Sequence, residues 1–178
     1  VSGPTYAGSI IIFLFVLGLF IVKSEMRIWL VAATIMSILL AWGKNFMGLT
    51  ELFLDYFPGY NKFRAVSMIL VVAEFTIPLL AFIALDKFLK SDKSAQEKKM
   101  LNLTFYIVGG LTLLFTFMSI LFFDFIGAQD VNLEKNGWPV DALQSDRKDL
   151  LNSDAWRLFV FIALTFGTLW LFLKSKIN

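Results

Sequence analysis

Apolar residues along this chain gather into long runs, and shorter polar stretches separate them. The runs cover residues 6–22, 28–42, 66–85, 103–123 and 156–173. A helix needs about 20 predominantly apolar residues to cross a bilayer, and the runs are of that order. The run at 28–42 is short, so the expected helix extends past Trp42 or the membrane thins locally around it. Tryptophans stand near the ends of two runs, Trp29 and Trp42 on one, Trp156 and Trp170 on another. Indole rings favour the membrane–water interface. The pattern predicts an all-α, polytopic transmembrane helix bundle of about five spans. Gly109-Gly110 in the fourth run is expected to admit close helix contact.

The polar stretches carry their own periodicity. In residues 43–65, Leu49, Leu52, Phe53, Tyr56 and Phe57 recur with the spacing of one helical face. A short amphipathic helix is predicted at 49–57, lying along the outer membrane face or re-entering the bundle. Pro58-Gly59 ends it. The third run contains Glu74, with Pro78 four residues later. Proline lacks an N–H, so a kink and an unpaired Glu74 carbonyl are predicted there. Residues 86–102 read as a polar connector, and 124–155 as a long hydrophilic loop. Within that loop Ser145 reads as the N-cap of a short helix, and Ser153-Asp154 as the cap of the fifth span.

Composition supports the membrane reading. The chain has 178 residues, of which 58% are hydrophobic and 20 are Phe; soluble domains are about 45–50% apolar. With no cysteine and no histidine, disulfides, thiolate chemistry and imidazole catalysis are excluded within these residues. No Walker loop, dinucleotide fingerprint or zinc spacing is present, so the sequence identifies no cofactor and no metal site. Nucleic acid is not an expected partner at a net charge of +2. Basic residues are densest in the connectors holding Lys23, Arg27, Lys87, Lys90, Lys93, Lys98, Lys99, Lys174 and Lys176. That side is expected to face the cytoplasm. The N-terminus of the segment then lies outside, the C-terminus inside, and residues 43–65 and 124–155 share the outer face. The chain opens at Val1, with no basic stretch before its first apolar run, and reads as part of a longer protein.

Candidate chemistry lies on the expected outer face. Lys44, Lys62 and Arg64 stand among aromatics at the mouths of the second and third runs, with Tyr60 and Asn61 beside them. An Arg fork with a Lys nearby suits a phosphate or diphosphate at headgroup level; basic heads reaching for water give the same placement. Glu51 and Asp55, four residues apart, suit a general base, a cation or a solvated face. Glu74 with Pro78 reads as a polar hinge or as a neutral carboxyl bonded to a neighbouring helix. Arg157 either pairs locally with Asp154 or joins the cationic cluster.

The runs Ala41-Trp-Gly-Lys-Asn-Phe46, Asp55-Tyr-Phe-Pro-Gly-Tyr-Asn-Lys-Phe-Arg64 and Ser67-Met-Ile-Leu70, followed by Glu74, resemble bacterial YfhO-type membrane proteins. The resemblance covers most of residues 3–85 and is weaker over 103–178. That family is grouped with GT-C-type glycosyltransferases, which take a sugar from a polyprenyl-phosphate donor at the outer membrane face. The resemblance implies the C-terminal portion of such a protein in the bacterial inner (cytoplasmic) membrane, with the catalytic acid outside this segment. It also implies a polyprenyl-phosphate-linked sugar as substrate, and the bilayer and other membrane proteins as partners. Lys44, Asp55, Tyr60, Asn61, Lys62 and Arg64 match the family's outer-loop motif. Two other classes remain open. One is a non-catalytic subunit docking a secretion or translocation assembly through its outer loops. The other is a transporter segment using Glu74 and Pro78.

Overall fold

The structure is a computed structural model, and it describes residues 6–43, 47–57, 66–92, 94–122, 124–127 and 130–174. Among these residues every regular element is helical. The helices are α1 (Ser9–Ile21), α2 (Glu25–Ala41), α3 (Met47–Tyr56), α4 (Leu70–Leu89), α5 (Ala95–Phe122), α6 (Asp130–Lys135) and α7 (Val140–Lys174), with a 3-10 turn at Val66–Ile69 before α4. The chain divides into two compact units, Val1–Met100 and Leu101–Asn178.

In the first unit α4 is the central element, and α1 and α2 both pack on it. Phe13 and Leu17 of α1 and Leu80, Ala81, Ala84 and Phe88 of α4 are fully buried. The small residues let the two backbones approach closely. A Cβ placed on Gly18 would stand 3.1 Å from the Ala84 Cβ and 3.3 Å from the Leu80 carbonyl oxygen. The α2 contact is polar at its centre: the buried hydroxyls of Thr34 and Thr76 lie 2.7 Å apart. Both also reach the carbonyl one turn earlier on their own helix, Leu30 and Val72 respectively. Between α1 and α2, Arg27 Nη1 donates to the Leu19 carbonyl at 2.8 Å. It satisfies one of the carbonyls that a helix C-terminus leaves without an intrahelical donor.

α4 runs unbroken through Pro78. α5 starts inside the stretch expected to be a connector. Ser94-Ala-Gln-Glu97 explains its start, because the Glu97 carboxylate accepts from the Ser94 amide at 2.8 Å in a capping-box arrangement.

In the second unit α5 and α7 meet through aromatic rings. Phe105 stacks on Phe166 with centroids 4.4 Å apart, and Phe159 lies 6.5 Å from Phe105. Of the glycine pair, Gly109 is buried in ordinary contact with Phe159, while Gly110 is exposed with nothing near its Cβ position. The close contact expected of both therefore involves one. α6 ends in a Schellman motif: Trp138 N–H donates to Leu133 O at 3.0 Å, and Gly137 N–H to Glu134 O at 2.9 Å. Gly137 has φ 78°, a conformation that disfavours side-chain-bearing residues.

The break expected at Ser153-Asp154 is absent. α7 is one helix of 35 residues, and the Ser145 and Ser153 positions both lie inside it. The Ser153 hydroxyl bonds back to the Asp149 carbonyl of its own helix. It therefore does not serve as an N-cap, and a mid-helix serine has that option at little cost.

Two helical segments are long and apolar enough to cross a membrane, Ala95–Met118 and Val140–Lys174. Only 22% and 17% of their most apolar stretches are buried. A soluble core helix would bury most of that surface. α1 is apolar but has 13 residues, a length of roughly 20 Å against a hydrocarbon core of about 30 Å. The described helices therefore carry two such segments, where the apolar runs alone predicted about five.

Gly18→Val is expected to push α1 from α4 and lower unfolding free energy by about 1–3 kcal/mol. Gly110→Ala should be neutral or stabilising by about 0.5–1 kcal/mol. Thermal unfolding of the two variants in detergent checks the difference; equal melting temperatures would remove the close approach as a determinant of stability.

Candidate functional site

The most developed polar constellation among the described residues is in the second unit, where a loop, α6 and α7 meet. Asp130, the first residue of α6, is 3% exposed. Its Oδ2 accepts from Gly127 N–H and from Arg147 Nη1, both at 2.7 Å. Its Oδ1 accepts from Arg147 Nη2 at 2.7 Å. The fork is bidentate, the strongest geometry a guanidinium and a carboxylate can adopt. Arg147 Nη1 uses its second hydrogen on the Phe125 carbonyl at 2.9 Å.

Each part of the clamp is placed by local structure. Arg147 projects from the first half of α7, which the Schellman turn and Pro139 launch after α6. Asp130 reaches back three residues to the Gly127 amide, which the carboxylate of a helix's first turn does readily. Phe125 has φ 53°, a left-handed conformation that costs about 1–2 kcal/mol for a side-chain-bearing residue. Its carbonyl is the one Arg147 holds. A Cβ on Gly127 would lie 2.8 Å from Asp130 Oδ1 and 3.0 Å from both terminal nitrogens of Arg147. An alanine there has to displace the ion pair.

The electrostatics follow from this geometry. The Arg147 guanidinium, then the Gly127 amide, lower the Asp130 pKa to about 2 against the opposing effect of burial. The carboxylate raises the Arg147 pKa in return. Asp130 is thus ionised, fully engaged and too weak a base for proton abstraction near neutral pH. The clamp is a positioning device that fixes Phe125, Gly127 and Asp130 against α7.

The residues singled out by sequence are distributed differently. Lys44, Tyr60, Asn61, Lys62 and Arg64 lie outside the described residues. Glu51 and Asp55 stand exposed on α3, one turn apart. The expected amphipathic helix is present, and Leu52, Tyr56 and Phe57 at its apolar positions are exposed. Glu74 is exposed on α4, four residues before Pro78. Arg157 pairs with Asp154 at 3.6 Å, with both side chains largely exposed. Such a pair contributes about 0–1 kcal/mol. The clamp itself was not anticipated. Gly127 and Asp130 have capping spacing, but Arg147 is 17 residues from Asp130, beyond any local pattern.

No known protein family, characterised protein or solved structure matches the chain.

A carboxyl whose folded-state pKa lies below its unfolded value stabilises the fold above the unfolded pKa, and that contribution is lost as pH falls through the folded pKa. The clamp is therefore expected to hold above about pH 4 and to open as pH falls toward about 2. Arg147→Ala should open it at neutral pH and speed amide exchange at residues 125–127 by about tenfold or more, since bonds to charged groups are among the stronger ones. Hydrogen-exchange mass spectrometry at pH 7 measures this; unchanged exchange in the variant would mean that the loop is held by something else.

Proposed function

We propose that this chain is the membrane-embedded portion of a YfhO-like protein of the bacterial inner membrane. In this reading it crosses the bilayer about five times, at 6–22, 28–42, 66–85, 103–123 and 156–173. The N-terminus of the segment is outside and its C-terminus cytoplasmic. The parent protein transfers a sugar from a polyprenyl-phosphate donor at the extracytoplasmic face, and its catalytic acid lies outside this segment. This portion binds the lipid phosphate through Lys44, Tyr60, Asn61, Lys62 and Arg64, with Arg157 added from the start of the last span. The cations stabilise charge on the phosphate as it departs from the sugar.

The observation that carries this reading is α3. It is a ten-residue helix whose Leu52, Tyr56 and Phe57 are exposed, and the Tyr60–Arg64 stretch follows it directly in sequence. An amphipathic helix with an uncovered apolar face is suited to the headgroup–acyl boundary. A cationic segment attached to it would then sit at phosphate depth.

A second reading is a non-catalytic subunit that docks a membrane assembly. The Asp130–Arg147 clamp favours it, because it fixes a polar loop in one shape beside α7. In the full-length protein, Lys62→Ala with Arg64→Ala is expected to lower transfer from a polyprenyl-phosphate sugar by about 10²–10³-fold at normal expression. Unchanged transfer in that variant refutes phosphate binding here. Loss of a co-purifying membrane partner in Arg147→Ala, with transfer unaffected, establishes docking instead.

A further inference from the structure

At the other end of α4, the first unit contains a cavity of about 590 Å³, within the ~300–1,000 Å³ typical of small-ligand sites. It lies where α1 and α4 end and α5 begins. Its lining joins apolar Phe20, Ile21, Ile83 and Met100 to the neutral polar Ser91, Ser94 and Gln96. The charged lining residues are Lys23, Lys87 and Lys90, balanced by Asp86, Asp92 and Glu97. Three of these charges are engaged: Lys90 pairs with Asp86 at 2.8 Å, and Glu97 caps α5. Lys23, Lys87 and Asp92 have no ion-pair partner among the described residues.

The lining selects a ligand class. A lining that joins apolar and charged side chains fits an amphiphile seated at a membrane surface. Equal numbers of cations and acids argue against a purely anionic head, which would leave Asp92 uncompensated. The C-termini of α1 and α4 and the N-terminus of α5 meet here, so the helix ends add partial charge of both signs, which suits a zwitterionic head. We propose that this cavity binds a zwitterionic phospholipid whose headgroup carries a phosphodiester and a primary amine, as phosphatidylethanolamine does. Lys23 and Lys87 bind the phosphate, Asp92 takes the ammonium, and the acyl chains run along Phe20, Ile21, Ile83 and Met100. The inference rests on the chain being membrane-embedded. It does not depend on phosphate binding at residues 60–64, which precede the opposite end of α4.

The test uses the full-length protein in nanodiscs of equal parts phosphatidylethanolamine and phosphatidylglycerol. Native mass spectrometry reads the lipids that stay bound after release. Wild-type protein is expected to retain the ethanolamine lipid over the glycerol lipid by at least about threefold. Lys23→Ala with Lys87→Ala should return that ratio to the bulk value, and Asp92→Lys should shift it toward the glycerol lipid. Glycerophosphoethanolamine, which has the head but no chains, should not displace the bound lipid at millimolar concentration. Retention at the bulk ratio in wild type, a preference for the glycerol lipid, or unchanged ratios in the variants overturns the proposal. Displacement by the chainless head identifies a site for a soluble ligand and overturns the lipid as occupant. Loss of sugar transfer in Lys62→Ala with Arg64→Ala, or its persistence, leaves every one of these readouts unaltered.

Discussion

The close approach of α1 to α4 is the constraint on which the first unit depends. Its strength comes from packing, and dispersion falls away within an ångström of extra separation. Gly18 against Ala84 and Leu80 brings the two backbones into that range. Phe13, Leu17 and Phe88 then fill the space on either side and become fully buried. A larger residue at Gly18 would have to push these atoms away and forfeit part of that contact.

Polar groups close the gaps that packing leaves. Thr34 and Thr76 place a hydroxyl pair inside the α2–α4 contact, in which one hydroxyl donates to the other and that acceptor donates in turn to a carbonyl of its own helix. Neither is left unsatisfied, which matters more in a low-dielectric interior than the modest attraction of the pair itself. Arg27 does the same at a helix end, binding the Leu19 carbonyl. The second unit follows one rule throughout: Asp130 and Arg147 leave no charge unmatched where the loop folds onto α7. In each of these contacts, buried polarity is matched by a partner of suitable reach.

How much of this was legible depended on the range of the interaction. The all-helical class followed from the apolar runs, and α3 from five residues at helical spacing. Ser94 and Glu97 carry a start signal for α5 at a spacing of three, yet the surrounding lysines made the stretch read as a connector. Ser145 and Ser153 misled in the opposite direction. Both are good capping residues, but a helix already propagating gains one bond per residue and passes through them. The Asp130–Arg147 pair was illegible for another reason: it joins the first residue of α6 to α7 across 17 positions, and nothing local marks the two as partners. Of the residues that carry the family resemblance, Lys44, Tyr60, Asn61, Lys62 and Arg64 lie outside the described residues, and Asp55 stands exposed on α3. The candidate phosphate site thus rests on residue chemistry, and the clamp on geometry.

The uninterrupted course of α7 has a mechanical consequence. A helix without a break transmits rotation as a rigid rod, and this one extends over 35 residues, or roughly 52 Å at about 1.5 Å per residue. Arg147 lies 19 positions before Phe166 in the sequence, roughly 28 Å along the axis. A tilt of about 5° pivoting near the Phe105–Phe166 stack would therefore swing the guanidinium through roughly 2.5 Å. That is nearly the length of the bonds it makes to Asp130. The aromatic stack and the ion pair are two ends of one lever, and a small change of angle at the first becomes a make-or-break displacement at the second.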